Sequence, residues 1–161
     1  MKPRLYIETT IASYLVARPS PLIRIAADQQ STREWWDTKR HENDLYISEM
    51  VIRETGQGDA MFAAKRLDVL AGIPLLSETP ETEAVAEYLL RTGIIPPKAA
   101  PDAFHISLAS VHRMEYLLTW NCTHIHNLKL ERRIQSACAK FGFTCPLICT
   151  PAELLEDTPD A

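Results

Sequence analysis

Glu8, Glu54, Asp102 and Asn121 are far apart in the chain, yet their types suit one task. Carboxylate oxygens converging on a cleft can hold a hard divalent cation, and an amide oxygen can ligate the same ion or orient its water. Glu8 closes the apolar run Leu5-Tyr6-Ile7 and stands just before a second apolar run, Ile11 to Ala17. A charge at the end of a buried strand is costly unless it is paired or metal-bound. Glu54, in "SEMVIRETG", lies near Gly56 and Gly58 at the end of a helix, where the dipole disfavours a carboxylate, so its placement asks for another reason. Asp102 opens the apolar helix "PDAFHISLASVH" and reads equally as an acid favoured by the dipole in a first turn, as does Glu49.

These residues need strands and helices that bring them together. Short apolar runs with β-branched or aromatic content recur at Leu5–Ile7, Leu45–Ser48, Pro74–Leu76, Tyr116–Trp120 and Pro146–Cys149, and predict buried strands. Between them, Leu22–His41, Ala60–Leu70, Glu81–Leu90 and Leu128–Phe141 carry apolar residues at helical spacing. Strands separated by helices pair in parallel on a covered sheet. The expected fold is α/β, a three-layer sandwich around a central parallel sheet of about five strands, in one domain over 1–161. Pro80 and Pro101 sit where helices begin, with acids following. In an open parallel sheet the ligand site lies beyond the carboxyl ends of the strands, which is where Glu8, Glu54 and Asn121 fall.

Composition narrows the function. A hydrophobic content of 46% supports a sizeable core, and a net charge of −4 argues against grip on nucleic acid through global positive potential. No stretch approaches the ~18 apolar residues of a membrane span. The N-terminal apolar run is broken by Glu8 and sits at the bottom of the range for a signal peptide, so a cytoplasmic protein is expected. Cys122, Cys138, Cys145 and Cys149 form no C-x-x-C pair and read as reduced, mostly buried thiols.

The segments "YIETTIASYL", "ISEMVIRE", "KAAPDAFHISLA" and "LLTWN" fall in the order and approximate spacing of the PIN domain, and the chain resembles VapC-type ribonuclease toxins over nearly its whole length. The resemblance implies a PIN fold whose acids bind Mg²⁺ or Mn²⁺ for phosphodiester hydrolysis, usually of RNA. Residue by residue it places the metal-binding acids at Glu8, Glu54 and Asp102, the small hydroxyl beside the cofactor at Thr9, and the fourth catalytic position at Asn121. Two departures stand out. Glu8 replaces the family's usual Asp and reaches one methylene further, and Asn121 is neutral where the family has an acid, which weakens the case for a tightly held second ion. The implied function is a metal-dependent endoribonuclease, the toxin of a type II toxin–antitoxin pair; the alternative is a catalytically silent module that binds RNA or a protein, and a flap-like DNA nuclease is a third reading. The resemblance also implies a homodimer and a cognate antitoxin that places a basic side chain among the carboxylates.

Other signals compete. Cys122, His124 and His126 in "NCTHIH" suit a transition metal but lack a fourth ligand at normal spacing. His105, one turn after Asp102, reads as a packed neighbour of the acids. Trp35 and Trp36 occupy adjacent helix faces, so one of them is expected to point outward, towards an interface. Arg18, Arg24, Arg33, Lys39, Arg40 and Arg53 form either a solvated face or phosphate contacts.

Overall fold

Strand β1 (Arg4–Ile7) occupies the centre of the sheet. It pairs in parallel with β2 (Asp44–Ser48), Tyr6 beside Tyr46, and on its other side with β4 (Tyr116–Leu118), Ile7 beside Leu118. Beyond β2 lies β3 (Leu75–Leu76) and beyond β4 lies β5 (Leu147–Cys149), giving the order β3-β2-β1-β4-β5 with every pair parallel. These are the coordinates of a computed structural model, and they describe residues 1–156.

Helices α1 (Thr9–Val16) and α2 (Ile23–Thr38) join β1 to β2, and α3 (Glu49–Thr55) and α4 (Ala60–Leu70) join β2 to β3. Then α5 (Pro80–Arg91) and α6 (Ala100–Val111) cross to β4, α7 (Leu128–Lys140) leads to β5, and α8 (Pro151–Leu155) follows. α1 rests on α2, α3 and α4, α2 rests on α8, and α5 lies against α6 and α7. The result is the expected α/β three-layer sandwich with a five-stranded parallel sheet. Both faces of the sheet are covered, so Leu5, Ile7, Leu117 and Leu118 lose all exposure; full burial of such a side chain contributes about 1.5–3 kcal/mol.

Caps fix where the helices begin. Ser48 accepts from the Val51 N–H at the head of α3, Asp59 from Met61 and Phe62 at the head of α4, and Thr79 with Thr82 forms a reciprocal box that spans Pro80 at the head of α5. Helix α8 was not among the expected elements, although Thr150, Pro151 and Glu153 carry its full starting signature and close the same kind of box. The fourth strand stops at Leu118 instead of running to Trp120. Thr119 still donates its N–H to Cys149 O, but Trp120 turns away to give its N–H to Thr10 Oγ1 and its indole N–H to Thr32 Oγ1, each at 2.8 Å. Trp35 is buried in the core, while Trp36 is half-buried with the Arg40 guanidinium over its ring. Among the described residues no helix is long and apolar enough to cross a membrane.

Candidate metal centre

The sheet order places a topological switch at β1, because the connection from β1 leads to β2 on one side and the chain later crosses to β4 on the other. A crevice beyond the carboxyl ends at such a point is the usual ligand site of an open parallel sheet. Glu8 is the first residue after β1 and the N-cap of α1. Its N–H donates to Leu118 O at 3.1 Å, which locks it to the end of β4. The residue is only 3% exposed, yet every hydrogen bond its side chain accepts from the described residues falls on one oxygen. Oε1 receives the Thr10 N–H at 3.1 Å, the Thr10 hydroxyl at 2.5 Å and the Thr119 hydroxyl at 2.7 Å. Burial raises the Glu8 carboxyl above its ordinary value, against the opposing pull of His105 and of the Thr10 and Thr119 bonds.

Glu54 shows the same asymmetry. It lies in the last turn of α3, against the helix dipole, and its Oε1 accepts from Thr9 Oγ1 at 2.7 Å and meets His105 Nε2 at 2.5 Å. Burial alone would raise this carboxyl; the hydrogen bond and charge of His105, with the Thr9 bond, outweigh it and hold it below the ordinary value.

His105 is fully buried on α6, and its other nitrogen, Nδ1, lies 2.7 Å from the Tyr6 hydroxyl. That hydroxyl is in turn 2.7 Å from Ser48 Oγ, which accepts from the Val51 N–H. Burial pushes the Tyr6 phenol far above its ordinary range, so it keeps its proton and can donate. Two arrangements of protons satisfy the whole series: Nε2–H donates to Glu54 in both, and the remaining bonds run either from Nδ1–H to Tyr6 and from Tyr6 to Ser48, or from Ser48 to Tyr6 and from Tyr6 to Nδ1. The ring is thereby oriented from behind, as the outer partners of metal sites are.

Glu8, Glu54 and His105 bring one potential ligand atom each within 4.8 Å of one another, so this cluster could hold a metal ion. Both His105 nitrogens already have partners, whereas the Oε2 atoms of Glu8 and Glu54 take none of the bonds just described. Two carboxylates, each fixed by one oxygen and offering the other, are a donor set for a hard, oxygen-preferring divalent cation.

The other expected site residues are placed as follows. Asp102 stands in the first turn of α6, one turn before His105, and is not in the close group; its Oδ2 is 2.9 Å from His124 Nδ1. Asn121 directs its side-chain oxygen to the His124 N–H at 3.1 Å and gives its own N–H to Thr119 Oγ1 at 2.9 Å. Thr9 is committed to Glu54. Glu49 is exposed in the first turn of α3. His126 lies 2.7 Å from Glu153, so His124 and His126 take separate carboxylates, and among the described residues they form no metal-holding group with Cys122. Trp120 stacks on Tyr14 with centroids 5.6 Å apart. Arg53 pairs with Glu78, and Lys39 with Glu42.

The residues that orient the carboxylates, Tyr6, Ser48, Thr10, Thr119 and His105, were not expected in those roles. Two spacings carry a hint of them: Tyr6 and Glu8 are two apart, hence on one face of a strand, and Asp102 and His105 are three apart, hence on one face of a helix. No protein-family model matches the chain, and no curated protein matches it.

Proposed function

We propose that this protein is a metal-dependent endoribonuclease of the PIN type, hydrolysing RNA phosphodiester bonds as the toxin of a type II toxin–antitoxin pair. The observation that carries the reading is the pair Glu8 and Glu54, tied through Oε1 with Oε2 outside those bonds, and grouped with His105 beyond the carboxyl end of the central strands. Glu8, Glu54 and Asp102 would hold Mg²⁺ or Mn²⁺. Such an ion, when bound, supplies Lewis acidity towards a phosphate oxygen and makes a water more acidic for in-line attack. The chain's own part is to hold its ligands still. Thr10 and Thr119 fix Glu8, Thr9 and His105 fix Glu54, and His124 fixes Asp102. No side chain is required as nucleophile.

A silent PIN-like module is the second reading, and Asn121 favours it: the position is neutral and its oxygen is occupied by the His124 N–H. Cleavage assays on mixed RNA and DNA oligonucleotides with Mg²⁺, Mn²⁺ or EDTA separate the readings. Metal-dependent RNA cleavage supports the nuclease, and binding without cleavage supports the module. A cognate antitoxin would present an Arg to the acids, which repel one another without metal and accept bidentate bonds. Homodimer formation is tested by light scattering, with Trp36→Ala as the informative variant because Trp35 belongs to the core.

A further inference from the structure

Helices α5 and α7 pack side by side in opposite directions: Tyr88 of α5 meets Phe141 at the end of α7, ring centroids 5.6 Å apart, while Thr92 and Ile94 line the same groove as Arg132 and Arg133 near its start. That groove has a volume of about 340 Å³, and Ser136 also borders it. The Thr92 hydroxyl is spent on Tyr88 O at 2.7 Å, which leaves the two guanidiniums and Ser136 as the donors along it. Lys140 Nζ stands 4.6 Å from the Tyr88 ring centroid and Arg91 Cζ 5.8 Å from it, so two more positive charges border the same place. Among the described residues none of Arg91, Arg132, Arg133 and Lys140 forms an ion pair, although the chain as a whole carries a net charge of −4. Four like charges round one groove repel one another, and an anion relieves them.

Both walls of the groove lead to Asp102. On the α5 side, Gly93 (φ 73°) turns the chain, the Ile95 N–H closes back on Leu89 O at 3.0 Å, and a 3₁₀ turn at Pro97–Ala99 runs straight into α6, where Asp102 stands in the first turn. On the α7 side, the loop just before the helix carries His124, whose Nδ1 is 2.9 Å from Asp102 Oδ2. Lys98 and Lys129, exposed on these two segments, extend the positive charge towards the carboxylates. We propose that the groove binds the phosphodiester backbone of a single RNA strand whose scissile bond lies at the metal centre, with Arg132 and Arg133 as positioning residues; this rests on the RNA substrate of the proposed function. A polyanion fits better than a single phosphate, because the donors form a line. Lys129, Arg132, Arg133, Ser136 and Lys140 share one face of α7 at spacings i, i+3, i+4, i+7 and i+11, over about 16 Å at the helical rise of ~1.5 Å per residue. The Tyr88 ring is already covered by Lys140, Arg91 and Phe141, so the groove takes phosphates and stacks no base, and its grip is independent of sequence.

The test compares the full chain with Arg132→Gln plus Arg133→Gln and with a charge-matched control, Lys2→Gln plus Lys65→Gln; all four positions are exposed, and circular dichroism checks the fold. Anisotropy of a short fluorescent RNA in EDTA, across graded KCl, reads binding without cleavage. Removing two phosphate contacts should lower the slope of log affinity against log salt by about 1.4 and weaken binding roughly 25-fold at about 0.1 M salt, and the control should do neither. With Mn²⁺ the groove variant should raise KM with kcat unchanged, because these residues hold the strand and do not touch the reacting bond. Cleavage by the wild type with unaltered binding and KM in the groove variant overturns the groove and leaves the nuclease reading standing. Binding that the groove variant loses, in a protein that cleaves no RNA with either metal, supports the groove and removes the nuclease reading. A wild type that binds no RNA overturns both. Equal losses in the two paired variants overturn the groove, as does displacement of the RNA by inorganic phosphate or by polyglutamate at equal concentration of charge.

Discussion

His105 Nε2 meets Glu54 Oε1 at 2.5 Å across 51 residues of sequence, and that bond is what lets a carboxylate stand in the last turn of α3. The dipole there opposes the charge, and burial opposes it further. Behind the ring, Tyr6 and Ser48 fix its orientation, so the carboxylate is held by a series of buried groups reaching to the head of the same helix.

Replacing His105 should therefore act on both stability and metal affinity. His105→Gln should cost about 2–4 kcal/mol, from lost packing and a buried phenol short of a partner. As a residue that orients a ligand, its loss should weaken Mn²⁺ binding by about 10–100-fold without abolishing it. Denaturant midpoints with EDTA and with graded Mn²⁺ measure both quantities. Complete loss of binding in a folded variant would make His105 a ligand in its own right.

The two glutamates should respond to pH with opposite sign in metal-free protein. Glu8 has a raised folded value, so its ionised form costs stability at neutral pH and the cost is relieved as pH falls through that raised value. Glu54 has a lowered folded value, so it contributes stability above the ordinary glutamate value and loses it as pH falls through the lower one. With EDTA at neutral pH, Glu8→Gln should be more stable than wild type and Glu54→Gln less stable. Both differences should shrink on acidification, that of Glu8→Gln first. Unfolding midpoints across the acid range check this, and differences of the same sign in both variants would contradict it.

Saturating metal should reverse the order of wild type and Glu8→Gln. A ligand bound only by the folded state stabilises by about 2.7 kcal/mol at a hundredfold excess over its dissociation constant, and Glu8→Gln should lose most of that gain. Melting curves with and without Mn²⁺ give the comparison directly; an equal Mn²⁺ shift in the variant places Glu8 outside the metal's reach.

The fold and the outer form of this site could be read from the chain because both leave local marks. Five apolar runs of strand length mark the sheet, Glu8 interrupts an apolar context, and Glu54 sits on the wrong end of a helix. What orients these acids leaves no such mark. Thr119 reaches Glu8 across 111 residues and His105 reaches Tyr6 across 99, and hydroxyls or a histidine in apolar helices look the same whether or not they meet a carboxylate. Asp102 illustrates the limit, since its first-turn position fits both a dipole acid and a ligand, and its bond to His124 is set by the loop after β4.

Asp102→Asn should abolish Mn²⁺-dependent RNA cleavage while changing stability by no more than about 1 kcal/mol, because it removes a charge from a partly open position and keeps an oxygen for His124. His124→Ala should lower cleavage by about 10–100-fold through misplacement of Asp102. Initial rates on a fluorescent RNA, with circular dichroism as the folding control, measure both. Full activity in Asp102→Asn would remove this residue from the site.

Asn121→Asp tests whether a carboxylate at this position would join the proposed metal site. In the folded chain the Asn121 side-chain oxygen accepts from the His124 N–H and its backbone N–H meets Thr119 Oγ1, the same hydroxyl that donates to Glu8 Oε1. An aspartate keeps an oxygen for the His124 N–H, so the loop should hold its course, and its second oxygen replaces an amide nitrogen that cannot ligate a cation. If that oxygen faces the ion, Mn²⁺ should bind more tightly by calorimetry, by about tenfold for a gain near 1.4 kcal/mol. The added charge also raises mutual repulsion among the acids, so the metal-free variant should be less stable than wild type and regain more on adding Mn²⁺. An unchanged dissociation constant would place Asn121 in the loop alone, holding His124 behind Asp102.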